Sequence, residues 1–154
     1  MSTRLLLMRH GEAEAMVGKD EDRALTALGE QQVIASAGVL AAYGVQRILA
    51  SPYKRAQQTA ALVGKTLGTP FTTSELLVPE ADPASALQTL PLEDEVLLLV
   101  CHMPLVSRMA GWLVEGEGAW GPGFGTADVA VIEAEWVGPG LGVMRAMLGP
   151  RGHL

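Results

Sequence analysis

Two uninterrupted apolar runs, each followed by a histidine, place the strongest constraint on this chain. Residues 5–8 are Leu, Leu, Leu and Met and lead into Arg9 and His10, while residues 96–100 lead through a cysteine into His102. Such short runs are typical of strands buried on both faces of a sheet. Open α/β sheets place their ligand sites beyond the carboxyl ends of these strands. The runs therefore predict two central strands that each deliver a histidine to one edge.

The first of these histidines has an arginine beside it and a glycine after it. Imidazole is a nucleophile, and guanidinium is a fixed cation that grips two oxygens of a phosphate. Arg9 and His10 together therefore suggest a histidine that attacks phosphorus. The tripeptide alone recurs by chance, and a surface turn at Gly11 is the alternative that further motifs must exclude.

A second motif is the stretch SPYKRAQQTA at residues 51–60. Ser51 followed by Pro52 predicts a helix start, with serine as the N-cap and proline at the first helical position. Arg55 then falls in the first turn, beside unsatisfied N–H groups and the positive end of the helix dipole. Helix physics disfavours a cation there, so its presence indicates a bound anion. A solvated, exposed arginine is the alternative.

Helical and extended patterns alternate along the rest of the chain. We expect helices over residues 26–43, 51–67, 84–90 and from Pro104 onward, and strands over 3–8, 46–50, 95–101, 128–135 and 143–148, the 128–135 strand at an edge. Residues 71–78 fit a short strand or an extended segment, and residues 115–125 a flexible loop. This alternation predicts a three-layer α/β sandwich with a mostly parallel central sheet and helices on both faces.

Composition limits the functions open to the chain. A length of 154 residues with 49% hydrophobic content suits a single globular domain spanning 1–154. A net charge of -6 argues against non-specific nucleic-acid binding, which requires clustered Lys and Arg. A single cysteine, Cys101, excludes an intrachain disulfide and fits a reducing compartment. No apolar run reaches membrane-spanning length, and the N-terminal run is too short for a signal peptide. We expect a cytoplasmic protein without nucleic-acid or membrane partners.

Four motifs occur in a recognisable order: Arg9-His10-Gly11, RALTALG at residues 23–29, SPYKRAQQTA at 51–60 and VCHMPLV at 100–106. Together they resemble the histidine phosphatase superfamily, which has the phosphoglycerate-mutase-like fold, and the likeness covers nearly the whole chain. The short length and the last two motifs look most like the SixA-type phosphohistidine phosphatases. Ala24 stands where many members have proline, a departure that affects only the rigidity of the loop.

The resemblance implies roles for four side chains. His10 takes up the phosphoryl group, with its other ring nitrogen bonded to a backbone carbonyl. Arg9 and Arg55 hold phosphate oxygens, and His102 is a phosphate ligand or proton donor that adds a third cation if protonated. The resemblance implies no metal and no other cofactor, and the histidines and cysteine match no metal-ligand spacing.

The general acid remains open at this point. In many members of the superfamily an acid in the region of residues 79–83 protonates the leaving group. Glu80 is the first candidate and Asp82 the second, and both acids serve equally well as plain solvated loop residues. SixA-type members manage without a clear acid, because the imidazole leaving group of a phosphoramidate departs neutral if already protonated. An alkoxide would need a proton. We assign no role to any residue of the 11–24 loop.

Three functions remain in competition. The first is a phosphohistidine phosphatase acting on a phosphorylated protein, with a histidine phosphotransfer domain of a phosphorelay as its partner. The second is a small-molecule phosphomonoesterase, which would need Glu80 as a working acid. The third is a non-catalytic phosphate-binding module, which the presence of both histidines and both arginines opposes. The sequence does not fix the oligomeric state.

Overall fold

A seven-stranded sheet forms the centre of the protein in the computed structural model, which describes residues 2–90 and 94–154. The strands are β1 (Thr3–Arg9), β2 (Arg47–Ala50), β3 (Phe71–Thr73), β4 (Val96–Cys101), β5 (Val129–Ala134), β6 (Val143–Gly149) and β7 (Gly152–His153). Their order across the sheet is β3-β2-β4-β1-β5-β6-β7. β1 and β4 lie in the middle because residues 5–8 and 97–101 are apolar on both faces and fully buried.

The half of the sheet from β3 to β1 is parallel. β1 pairs with β4, β4 with β2, and β2 with β3, all in the same direction. Arg9 lies opposite Cys101 in this register. The next residues along the two strands, His10 and His102, therefore meet at one edge of the sheet, and Ser51 joins them from the end of β2. The predicted delivery of two histidines to a single edge is confirmed.

The other half of the sheet is antiparallel. β5 pairs with β1 on one side and with β6 on the other, and β6 pairs with β7. The prediction of an edge strand over residues 128–135 was wrong, because β6 covers the outer side of β5 and residues 129–132 are buried on both faces. The strand predicted over 143–148 is present, but β7 follows it. The sheet is therefore mixed, with its parallel part running from β3 to β1.

Four α-helices cover the two faces of the sheet in the described part of the chain: α1 (Ala27–Leu40), α2 (Lys54–Leu67), α3 (Pro83–Gln88) and α4 (Leu105–Val114). α1 and α2 pack on one face, against Leu6 and Leu98 among others. α3 and α4 pack on the opposite face, against Leu5 and Leu97. Successive strand residues point to opposite sides of a sheet, so one apolar strand supplies both cores. The predicted three-layer α/β sandwich is confirmed.

Local signals fix both ends of α1. The Thr26 side chain accepts a hydrogen bond from the Gly29 N–H and caps the helix. At the other end a 3-10 turn, Ala41–Tyr43, continues to Gly44, whose φ of 66° lies in the left-handed region that glycine tolerates. The helix predicted over residues 26–43 is confirmed.

The start of α2 differs from the prediction. Ser51 was expected to cap the helix with Pro52 at its first position, but α2 begins at Lys54 with Tyr53 as its N-cap residue. The Ser51 hydroxyl instead accepts a hydrogen bond from the Tyr53 N–H and contacts His102. The serine is fully buried at the end of β2. It serves the turn between strand and helix, and the helix starts after that turn.

Candidate active site

The turn after β1 is shaped by close backbone packing. A Cβ on Gly11 would lie 2.7 Å from the Gly29 carbonyl oxygen, and one on Gly29 would lie 2.0 Å from the Glu12 carbonyl oxygen. Only glycine at these two positions allows α1 to approach the turn. The Gly11 N–H donates to the buried Thr59 Oγ1 at 3.2 Å. The glycines and the threonine of three separate motifs therefore hold the segment that carries the first histidine.

His10 lies in this turn, and its hydrogen-bond partner fixes which ring nitrogen carries the proton. Its Nδ1 is 2.6 Å from the Gly11 carbonyl oxygen, and because a carbonyl only accepts, Nδ1 carries the proton. The side chain is buried, and this burial lowers the pKa of His10 to about 4, with the charges of Arg55 and Arg9 adding to the effect. His10 is therefore neutral near pH 7, with the lone pair on Nε2. The predicted backbone-carbonyl partner is confirmed.

Arg55 reaches this lone pair from the first turn of α2. Its Nε–H donates to His10 Nε2 at 3.2 Å, and the side chain is almost completely buried. The guanidinium also lies over the ring of Tyr53, 5.1 Å from its centre. The arginine that helix physics disfavours at this position is thus directed toward His10, and its role in binding an anion stays a prediction.

Arg9 brings a second guanidinium from the last residue of β1. Its Nη1 donates to the Phe124 carbonyl oxygen at 2.8 Å. Its Nε is buried and has no hydrogen-bond partner within residues 2–90 and 94–154. Burial lowers the pKa of Arg9, and the Asp128 carboxylate opposes that shift. A buried donor without a partner is costly, so the arrangement favours an acceptor supplied by a ligand.

His102 lies beside His10, with the two ring centres 5.2 Å apart. Its Nε2 is 2.7 Å from the Ser51 Oγ, and its ring meets the edge of the Tyr53 ring at 5.0 Å. The pKa of His102 is lowered to about 2. Burial is the largest cause, and the charges of His10 and Arg55 lower the pKa further. His102 is therefore neutral in the ligand-free site. The ligand-free site therefore lacks the third cation that a protonated His102 would add to Arg9 and Arg55.

Asp20 is a residue of the site that sequence reasoning missed. It belongs to a 3-10 turn, Asp20–Asp22, in the loop to which no role was assigned. Its Oδ2 accepts from Arg55 Nη2 at 3.2 Å, and its backbone oxygen accepts from Arg55 Nη1 at 2.8 Å. Its Oδ1 accepts from Arg23 Nη1 at 3.1 Å. In sequence it is one of three consecutive acids, and no local signal distinguishes it from the other two.

The two candidate acids stand apart from these contacts. Asp82 caps α3: its Oδ2 accepts from the backbone N–H and from the hydroxyl of Ser85, both at 2.9 Å. These hydrogen bonds lower the pKa of Asp82, so it stays ionised and engaged with the helix. Glu80 is exposed and forms no hydrogen bond or ion pair within the described residues. A role for Glu80 as general acid stays a prediction.

Comparisons with known proteins agree with this geometry. Residues 5–78 match the histidine phosphatase superfamily (branch 1). The chain is 34% identical over 124 residues to the phosphohistidine phosphatase SixA homolog of Haemophilus influenzae, covering 71% of this chain and 76% of that protein. It is 32% identical over 146 residues to phosphohistidine phosphatase SixA of Escherichia coli, covering 88% of each.

A solved structure shows the same architecture. The protein histidine phosphatase SixA in complex with tungstate superposes with a TM-score of 0.85 at 29% identity, over 97% of this chain and 98% of that one. The chain belongs to the histidine phosphatase superfamily, and the resemblance recognised in its four motifs is confirmed.

Membrane-spanning helices and metal-binding clusters are both absent from the described residues. No helix within residues 2–90 and 94–154 is long and apolar enough to cross a bilayer. No group of three or more His, Cys, Asp or Glu side chains in the same residues is arranged to hold a metal ion.

Proposed function

We propose that the protein is a phosphohistidine phosphatase, which removes phosphate from a phosphorylated histidine of another protein through a covalent intermediate on His10. The observation that carries the proposal is the state of His10. It is a buried neutral imidazole, its Nδ1–H is held by the Gly11 carbonyl, and its Nε2 is directed to the Arg55 guanidinium. This is the form in which imidazole attacks phosphorus.

The reaction has two steps. In the first, His10 Nε2 bonds to phosphorus while the P–N bond of the substrate breaks, and the substrate imidazole leaves with its proton. In the second, water attacks the phosphorus, the bond to His10 breaks and inorganic phosphate leaves. Arg9 and Arg55 hold the phosphoryl oxygens and stabilise the charge that develops during in-line transfer. His102 contacts the same group as a ligand or proton donor.

A phosphoramidate substrate suits the state of the two candidate acids, Glu80 and Asp82. Asp82 is committed to capping α3, and Glu80 is exposed. A protonated imidazole leaves without help, whereas the alkoxide of a phosphate ester needs a proton donor. The names of the two SixA relatives support the same substrate class. The physiological substrate is then a phosphorylated protein, and we propose a histidine phosphotransfer domain of a phosphorelay in the cytoplasm.

Phosphate release by the purified protein tests this function. The assay compares a histidine-phosphorylated phosphotransfer domain with a panel of small phosphomonoesters, in the presence of a metal chelator. We expect rapid release from the phosphoprotein and slow release from the esters, with the His10→Ala variant as the inactive control. A clear preference for an ester would contradict the proposal and would make Glu80 the next residue to replace.

A further inference from the structure

We infer that Asp20 is a positioning residue for the phosphoryl transfer, and that it acts by fixing the orientation of the Arg55 guanidinium relative to His10. The inference rests on the proposed function, because it concerns the same site. It adds a residue from the 11–24 loop to a reaction that was otherwise carried by the ends of β1 and β4 and the start of α2.

The geometry of the guanidinium is the first step of the argument. An arginine presents five N–H groups in a rigid planar fork, with one pair of donors on its end, Nη1 and Nη2, and another pair on its side, Nε and Nη2. Asp20 takes the end pair of Arg55: its backbone oxygen accepts from Nη1 and its carboxylate from Nη2. The Nε–H of the side edge points to His10 Nε2.

The consequence concerns the attacked phosphoryl group. With its end held by Asp20, the guanidinium offers its side edge to a group that sits against the nucleophilic nitrogen of His10. Two oxygens of a phosphoryl group fit that edge in the bidentate manner typical of arginine. Without Asp20 the long side chain of Arg55 has other orientations open to it, and the side edge is no longer fixed.

The loop that carries Asp20 is itself anchored. Arg23 donates from Nη1 to the Asp20 carboxylate and from Nε to the Glu14 carbonyl oxygen at 2.7 Å. Ala13 and Leu25 form an antiparallel bridge at the base of the loop. The Asp20 carboxylate is therefore shared between a loop arginine and the buried Arg55, whose side chain is 5% exposed. Arg55 is held by a fixed partner and not by a freely moving surface acid.

Asp20 variants test the inference, with Asp22 as the matched control. Asp22 belongs to the same 3-10 turn and is exposed, so Asp22→Asn removes the same charge without touching Arg55. We expect Asp20→Ala to lower kcat on the phosphoprotein by about 10- to 100-fold, the scale set by misplacing a catalytic group by about 1 Å, with KM changed less than about threefold. Asp20→Asn should fall between wild type and Asp20→Ala, and Asp22→Asn should stay within about twofold of wild type.

A double-mutant cycle shows whether Asp20 acts through Arg55. Lysine lacks the two-edged fork, so in the Arg55→Lys background Asp20→Ala should change kcat by less than about twofold. The full single-mutant effect in that background would overturn the inference. An increase in kcat/KM for Asp20→Ala would also overturn it, because the carboxylate would then be obstructing the phosphoryl group.

Two measurements do not depend on the substrate. The Arg55 Nε–H resonance, assigned by its loss in Arg55→Lys, should exchange with solvent at least about tenfold faster in Asp20→Ala than in Asp22→Asn. Orthovanadate, a probe for the transferring phosphoryl group, should bind Asp20→Ala about tenfold more weakly. If the wild type fails on the phosphoprotein, the proposed function fails, and these two results still decide the role of Asp20. Unchanged exchange and unchanged vanadate affinity would overturn that role.

Discussion

The carboxyl ends of β1 and β4 are similar in sequence and position but are held in different ways. Both strands are apolar and buried, they pair side by side, and each is followed by a histidine. His10 donates its Nδ1–H to the very next residue, at the Gly11 carbonyl oxygen. The partner of His102 lies on another strand: its Nε2 contacts the Ser51 hydroxyl at the end of β2.

The difference in hydrogen-bond partner corresponds to the different roles that we propose for His10 and His102. A carbonyl partner fixes the tautomer of His10 and leaves Nε2 as an acceptor, which the Arg55 Nε–H confirms. A hydroxyl both donates and accepts, so Ser51 fits either tautomer of His102. Burial keeps both imidazoles neutral in the ligand-free site, with pKa values of about 4 for His10 and about 2 for His102. The hydrogen-bond partner of each ring, more than the residue type, therefore distinguishes the proposed nucleophile, His10, from the proposed supporting residue, His102.

The largest effect on activity is expected when the proposed nucleophile, His10, is removed. His10→Ala should lower kcat by about four orders of magnitude or more, because no neighbouring group takes over covalent catalysis. Acid-quenched samples of the wild type should contain phosphate on His10, detectable by mass spectrometry, and those of the variant should not. Labelling of His102 in the wild type would reverse the assignment of the two strand ends.

Replacement of the second histidine should cost less. His102→Asn removes the imidazole from the proposed phosphoryl site, and we expect kcat/KM to fall by about 10²- to 10³-fold, the scale for one electrostatic contact to a developing charge. The variant should still form phosphate on His10 in a single turnover. His153→Asn, which changes an exposed histidine in β7, is the matched control and should stay close to wild type.

Removal of the Ser51 hydroxyl, which contacts His102, should lower activity less than replacement of His102 itself. Ser51→Ala removes the 2.7 Å contact to Nε2, and the loss of one buried hydrogen bond should lower kcat/KM by about three- to tenfold. Ser74→Ala removes a hydroxyl that caps a 3-10 helix and serves as the control. If Ser51→Ala proved as harmful as His102→Asn, the orientation of the ring would account for the whole contribution of His102.

The smallest expected effect is that of pH on the rate at which His10 is phosphorylated. In the proposed mechanism His10 attacks in its neutral form. Its pKa is lowered to about 4, so the imidazole is already neutral throughout the range from pH 6 to pH 8. Phosphorylation of His10 in a single turnover should therefore change by less than about twofold over that range, compared with about fourfold for a histidine of ordinary pKa. Titration of the His10 ring by NMR checks the cause directly. A midpoint near 6.5 would contradict it.

Much of the site was predictable because its signals are local. The apolar runs at residues 5–8 and 96–100 identified the central strands, and the histidines that follow them had to reach the same edge once the strands were parallel. Arg55 was singled out because helix electrostatics disfavour a cation in the first turn of a helix unless an anion binds there, and the family resemblance favoured that interpretation over a solvated arginine. These inferences depend on burial and helix electrostatics, which neighbouring residues in the sequence already specify.

Other parts of the fold could not be predicted from local sequence patterns. Residues 128–135 show the alternation of an edge strand, but the position of a strand in a sheet depends on which other strands pair with it. Ser51 and Pro52 have the pattern of a helix start, yet the tertiary contact of the Ser51 hydroxyl with His102 places it in the turn before α2. In both cases a partner distant in sequence overrode a local preference.

The sequence by itself determined the three-layer sandwich. Through the resemblance of its motifs it also implied the four central side chains and a carbonyl partner for His10, which the structure identifies as the Gly11 carbonyl. Only the tertiary structure brought Asp20 to Arg55, Ser51 to His102 and the Phe124 carbonyl to Arg9. The physical reason is the range of the interaction. Hydrophobic pattern and backbone geometry act between neighbours, whereas the contacts that orient the charged groups join segments that only the folded chain brings together.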